Sequence, residues 1–185
     1  TGCRPYDKDR CGLNLGEAAA TIILKKGTDK NKTELVAGAI RNDANHISGP
    51  SRTGEGSFNA LQSVCGNMDK SEIAFVNAHG TSTLYNDEME SIALTRAGLE
   101  NTPVNSLKGY FGHTLGAAGI LESALSVYAL QHHQILATKG FEELGVTHPI
   151  DVVKTLRTTD KSYCIKLLSG FGGCNAALLF KNGRK

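Results

Sequence analysis

Twice in this chain a short apolar run leads through a histidine into a polar, glycine-containing turn and then a helix-forming stretch. The first instance is Ile73-Ala74-Phe75-Val76 followed by Asn77-Ala78-His79-Gly80-Thr81-Ser82-Thr83. The second follows Val104 and runs Lys108-Gly109-Tyr110-Phe111-Gly112-His113-Thr114-Leu115-Gly116-Ala117-Ala118-Gly119. Short buried strands alternating with helices restrict the chain to a layered α/β arrangement. A third glycine run, Gly170-Phe171-Gly172-Gly173-Cys174-Asn175, lies late in the sequence. The three runs read as loops at strand ends around one site.

The chain has 185 residues and 40% hydrophobic residues, enough for a core without disulfides. A net charge of +2 with no basic block argues against nucleic-acid binding. No apolar run reaches the ~18 residues of a membrane span. The sequence begins Thr1-Gly2-Cys3, without Met or a signal peptide, from which a processed or truncated chain is expected. Five cysteines with no C-x-x-C pair give neither a disulfide framework nor a metal site, and a cytoplasmic setting follows. Cys65 and Cys164 are expected in the core.

Taken in order, Ala18 to Leu24 reads as a buried strand and Leu35 to Ile40 as a second, paired with it in an antiparallel hairpin across Gly27 to Lys32. Asp43 to Gly56 reads as loop. Phe58, Leu61, Val64 and Cys65 recur at helical spacing, with the helix ending near Gly66. Asn86 or Asp87 caps the next helix, with Glu90 completing a capping box if Asp87 is the cap, and the helix stops near Gly98. Asn105 to Gly112 reads as loop, and Thr114 as the N-cap of a long, apolar helix to about Gln131 that should be buried. The stretch from Gln134 to Thr159 shows no clear element. Tyr163 to Leu168 and Ala176 to Phe180 are the last strands.

Each histidine alone reads as a hydrogen-bonded structural residue. Two of them at matching strand-to-helix turns read as a pair of N–H donors converging on one carbonyl oxygen. A helix N-terminus beside His113 favours its neutral form, and Lys108 adds positive charge nearby. Thr81 and Thr83 alternate, so both hydroxyls either line one groove or serve the turn. The Gly170–Asn175 run is either a tight hairpin or a place where backbone passes close to a ligand. Glu122 is either a surface acid or a buried one paired with Lys108. Cys174 has the look of a nucleophile but no base near it in sequence. The other histidines, His46, His132, His133 and His148, read as surface or structural.

These residues, with Arg4-Pro5-Tyr6-Asp7-Lys8-Asp9-Arg10 and Leu15-Gly16-Glu17, closely resemble the C-terminal half of the type II β-ketoacyl-carrier-protein synthases, the thiolase-fold condensing enzymes. The match covers nearly the whole chain as one domain, with Asp87 and Glu90 behind the first histidine motif and Cys174 where Thr or Ser is usual. The resemblance implies half of a duplicated thiolase fold, a five-stranded mixed sheet flanked by helices. It implies decarboxylative condensation of malonyl-carrier protein with an acyl thioester held on a cysteine. His79 and His113 would stabilise the enolate, and Lys108 would orient His113 and pair with Glu122. Thr81 and Thr83 would hold a phosphopantetheine arm that arrives on the acyl carrier protein, with no tightly bound cofactor and no metal. Phe171 would gate the acyl pocket and lend its backbone N–H to the acyl-cysteine oxyanion hole, with Gly172 beside it in substrate binding and Asp87 and Asn175 in support. None of Cys3, Cys11, Cys65, Cys164 or Cys174 matches the nucleophile motif, which belongs to the family's N-terminal half. That half and a homodimeric or heterodimeric mate are therefore the expected partners, and the chain alone is expected to be inactive. The alternatives are a non-catalytic chain-length-factor-like partner and, least favoured, a thiolase-fold binding or hydrolytic protein using Cys174. The 134–153 stretch lacks the usual proline-rich turn, which leaves acyl chain length open. Because the missing half covers one helix layer, an exposed apolar face is expected on the 114–131 helix.

Overall fold

The computed structural model describes residues 2–27, 29 and 32–183. Its centre is a five-stranded mixed sheet. In chain order the strands are β1 (Glu34–Asn42), β2 (Ile73–Asn77), β3 (Val104–Asn105), β6 (Tyr163–Gly170) and β7 (Cys174–Lys181). Their order across the sheet is β1-β7-β6-β2-β3. β2 runs parallel to β3 and β6, and β7 runs antiparallel to both β6 and β1. A separate small ladder joins β4 (Gln134–Ile135) to β5 (Arg157–Thr158).

The all-apolar run in β2 is what a parallel central strand requires, since both faces are covered. On one face pack α1 (Glu55–Cys65) and α2 (Leu84–Arg96), with Leu61, Val64 and Leu94 against Val76, Ile165 and Leu167. On the other packs α4 (Ala118–Gln131), with Ala129 and Leu130 against Phe75, Cys164 and Phe180. Cys65 and Cys164 are core residues, as expected.

Several expectations are corrected. Ala18 to Leu24 forms no strand, and Ile23 and Leu24 are among the most exposed apolar residues. The partner of the Leu35–Ile40 segment is β7, so there is no hairpin with residues 18–24. Three residues of the 27–32 turn lie outside the described residues. The 105–112 segment contains a short helix, α3 (Lys108–Phe111), because Leu107 and Gly112 bracket one closed turn. α2 starts directly after Thr83, so neither Asn86 nor Asp87 is its cap. Thr114 makes no side-chain cap bond; a 3-10 turn, Leu115–Ala117, intervenes before α4.

α4 is not buried all round. Its inward stripe holds Glu122, Ser123 and Ser126, while Ile120 and Tyr128 face outward at 40% and 58% exposure. Glu122 and Ser126 go inward here because they meet partners there, whereas the buried Ser123 hydroxyl has no partner among the described residues. The Ser126 hydroxyl donates to the Glu122 carbonyl at 2.7 Å, and the Glu122 carboxylate meets two lysines.

Candidate active site

β2 delivers His79 from the centre of the sheet, and its turn is gripped from both sides. On one side the N–H groups of His79 and Gly80 donate to the two oxygens of Glu90, each at 2.7 Å. Asn86 Nδ2 and the Tyr6 hydroxyl also donate to Glu90, at 2.9 and 3.0 Å. On the other side three consecutive carbonyls face ammonium groups. Lys108 Nζ donates to the His79 carbonyl at 2.5 Å, and Lys166 Nζ lies 3.1 Å from the Ala78 carbonyl and 3.5 Å from that of Asn77. Both ammoniums converge on Glu122, Lys108 at 2.8 Å from Oε1 and Lys166 closely on Oε2. All three side chains are fully buried.

His113 is held differently. A parallel bridge joins it to Leu15: its N–H donates to the Asn14 carbonyl at 2.7 Å, and its carbonyl accepts from the Gly16 N–H at 3.0 Å. Leu115 takes a left-handed backbone conformation (φ 52°) that turns its N–H back onto His113 Nδ1 at 3.1 Å. A ring nitrogen that accepts from an amide carries no proton. Neutral His113 therefore bears its proton on Nε2 and presents it as a donor. The two imidazoles meet edge to face, 5.0 Å between centroids at 81°.

Both rings are kept neutral. Burial drives His79 well below the usual imidazole range, with Lys108, Lys166 and then His113 adding to the effect. Burial and Lys108 lower His113 as well. Burial would raise Glu122, but Lys166 and Lys108 outweigh it, and the carboxyl ends below its ordinary value. Asp87, displaced from its expected cap position, accepts from the N–H groups of Tyr6 and Ser82 at 2.8 and 3.2 Å. Burial pushes it up to about 7.

The remaining expected residues fall into two groups. The Thr81 and Thr83 hydroxyls share a hydrogen bond of 2.7 Å directly after His79, so both lie on one side of that segment. Asn175 accepts from Ser57 and Ser169, each at 2.8 Å, and donates to the Gly173 carbonyl, joining α1 to the glycine turn. The Gly172 N–H donates to the Ile47 carbonyl at 2.6 Å, so this amide is committed to the neighbouring loop. The Phe171 ring stands 83% exposed. Lys108 pairs with Glu122, as expected, but its other partner is the His79 carbonyl rather than the His113 side chain. Lys166 was not singled out, Tyr6 was read only as part of the entry segment, and Glu90 only as a capping residue behind the first histidine motif. The one available sign for Lys166 was a lysine inside an otherwise apolar strand.

Residues 33–142 match the family model described as β-ketoacyl synthase, C-terminal domain. The chain is 35% identical over 191 residues to 3-oxoacyl-[acyl-carrier-protein] synthase 2 of Vibrio harveyi, covering 96% of this chain and 46% of that protein. It is similar to the crystal structure of a β-ketoacyl synthase from Burkholderia phymatum (TM-score 0.89, 33% identity), covering 98% of this chain and 46% of that one. It is also similar to a ketosynthase in complex with its chain length factor from Xenorhabdus doucetiae (TM-score 0.84, 28% identity, 99% and 47% covered). The chain thus spans about half the length of the relatives it matches.

Proposed function

The chain belongs to the β-ketoacyl synthase family as its C-terminal, thiolase-like domain, and from that premise we propose that it supplies the decarboxylation half of a 3-oxoacyl-[acyl-carrier-protein] synthase site. The observation that carries this reading is the pair of neutral imidazoles, edge to face, with the His79 turn mounted on buried charge and His113 on backbone hydrogen bonds. Malonyl thioester bound on an acyl carrier protein places its carbonyl oxygen at the histidine pair. The bond to the terminal carboxylate breaks and carbon dioxide leaves. The freed electron pair moves onto the thioester oxygen, where N–H donors fixed in advance stabilise the enolate. The enolate carbon then attacks an acyl thioester, expelling the thiolate of a cysteine on an N-terminal half. The product is a β-ketoacyl chain two carbons longer.

His113 serves as the Nε2–H donor, with His79 beside it. Lys108 supports His79 through its carbonyl rather than touching substrate. The adjoining Thr81 and Thr83 hydroxyls suit the amide-rich phosphopantetheine arm. Phe171, exposed in this half, suits a gate that closes against acyl chain from the other side, with the glycines beside it allowing backbone to approach. The N-terminal half and a second synthase-like subunit are the assembly partners, in fatty-acid or polyketide-like synthesis. A reducing, cytoplasmic compartment is part of the reading, since Cys3, Cys65, Cys164 and Cys174 are free thiols.

A second reading, a non-catalytic partner of the chain-length-factor kind, draws on the likeness to a ketosynthase solved with such a factor. His113→Ala in the full natural gene product separates the two. The catalytic reading expects malonyl-thioester decarboxylation to fall about 10²- to 10³-fold, the usual cost of a lost oxyanion donor. A wild type with no decarboxylation, alone or with its partner subunit, removes the catalytic reading.

A further inference from the structure

Lys166 is a buried lysine in the middle of a central strand, and no expectation from the sequence uses it. Its register partners are Asn77 on β2 and Leu178 on β7. Its strand neighbours Cys164, Ile165 and Leu167 are all fully buried apolar residues. Burying an ammonium is expensive unless it is paired and hydrogen-bonded. Glu122 already has a cation in Lys108, so a second lysine is not needed for neutrality. With both lysines charged, the cluster of Lys108, Lys166 and Glu122 holds a net charge of +1.

We propose that Lys166 is a positioning residue for this site: its ammonium fixes the Asn77–Ala78 backbone and, through Glu122, Lys108, so that His79 is held against His113 with two positive charges behind the imidazole pair. The three N–H donors of Lys166 have a matching set of acceptors in the Asn77 carbonyl, the Ala78 carbonyl and Glu122. Lys108 takes the next carbonyl along, that of His79. The two lysines therefore set the path of three consecutive peptide units leading into the catalytic turn. The groups facing the cluster are Glu122 from α4, Lys108 from α3, and Glu90 and Tyr6 on the opposite side of the turn. Burial lowers Lys166 to about 8, with Glu122 opposing the shift, which leaves the lysine charged at neutral pH. A net positive charge there disfavours imidazolium and favours the negative charge that develops on an enolate oxygen. The proposal rests on the decarboxylase reading for its catalytic meaning, but not for its geometry.

The test is Lys166→Met in the full natural gene product, with histidine imidazole titrations followed by NMR. Methionine keeps the chain length and removes the charge. With the circular-dichroism spectrum unchanged, the midpoints of His79 and His113 rise by about one pH unit, the scale of one lost buried charge at this range. The acid limb of malonyl-thioester decarboxylation moves up with them, and kcat falls about tenfold while KM stays within about twofold. Unmoved midpoints in a folded variant overturn the proposal whatever the activity. A wild type that decarboxylates nothing removes the functional reading alone, and the midpoints still decide the role of Lys166. Should the variant fail to fold, titration of the lysine side chains in the wild type decides. Lys166 must hold its proton from the histidine midpoints up to neutral pH, and losing it below pH 7 overturns the proposal.

Discussion

The two histidine turns look alike in sequence and are built on different physics. The His79 turn is fixed by buried charge, with a carboxylate on its amides and two ammoniums on the carbonyls around it. The His113 turn is fixed by backbone, through a bridge to residues 14–16 and an amide returned from Leu115. His79 is 5% exposed, and His113 is half-buried. The difference teaches how one site obtains both rigidity and access. The ionic lattice needs exclusion of water to be strong, so it sits beneath the sheet end. Peptide hydrogen bonds tolerate the edge, so they hold the ring nearer to solvent.

The largest break in this comparison comes from Glu122→Ala. It leaves two buried ammoniums without their carboxylate, and unfolding in urea is expected to show a loss of about 3–5 kcal/mol. In that variant the His79 resonances broaden before those of His113. The matching change on the other turn is Gly16→Ala. A Cβ there overlaps the Phe111 carbonyl, and forcing the two backbones apart costs about 1–3 kcal/mol. Here His113 is disturbed and His79 is spared, the reverse order. If both variants broaden both rings equally, the turns are one unit and the contrast is wrong.

The smallest effect sharpens the contrast by pH. Both imidazoles are held below their usual value of 6.5, His79 further than His113. The unfolded chain therefore takes up protons near 6.5 that the folded one refuses. The associated stability is complete above that pH and declines as pH falls toward the folded midpoints. Glu122, also lowered from its usual 4.5, adds a second loss in more acid solution. Asp87, raised to about 7, opposes this loss over the same range, so the check is by residue: NMR should place the His79 midpoint below that of His113.

Much of this was legible in the sequence for plain reasons. Ile73–Val76 is apolar on both faces because a central parallel strand needs it, and Phe58, Leu61 and Val64 repeat at the spacing of a packed helix face. His79, His113, Lys108 and Glu122 stood out because glycines and small residues frame them. The 18–24 run misled because composition reports a preference for burial, and only a covering partner delivers it. Ile23 is 89% exposed among the described residues. Glu90 matched a local capping pattern, but its carboxylate reaches back 11 residues to His79. Lys166 and Tyr6 act over separations of 44 and 84 residues, and no local pattern encodes a contact of that kind.

Residues 2–16 carry almost no regular structure, yet they touch both turns. Tyr6 bonds Asp87 and Glu90, while Asn14 and Gly16 bond His113. During translation this strap emerges before the partners it clasps, which follow some 80 to 100 residues later. At about 5–20 residues per second, it waits roughly 5–20 seconds as bare polypeptide. The strap can thus find its place only after the two turns it clasps have been made.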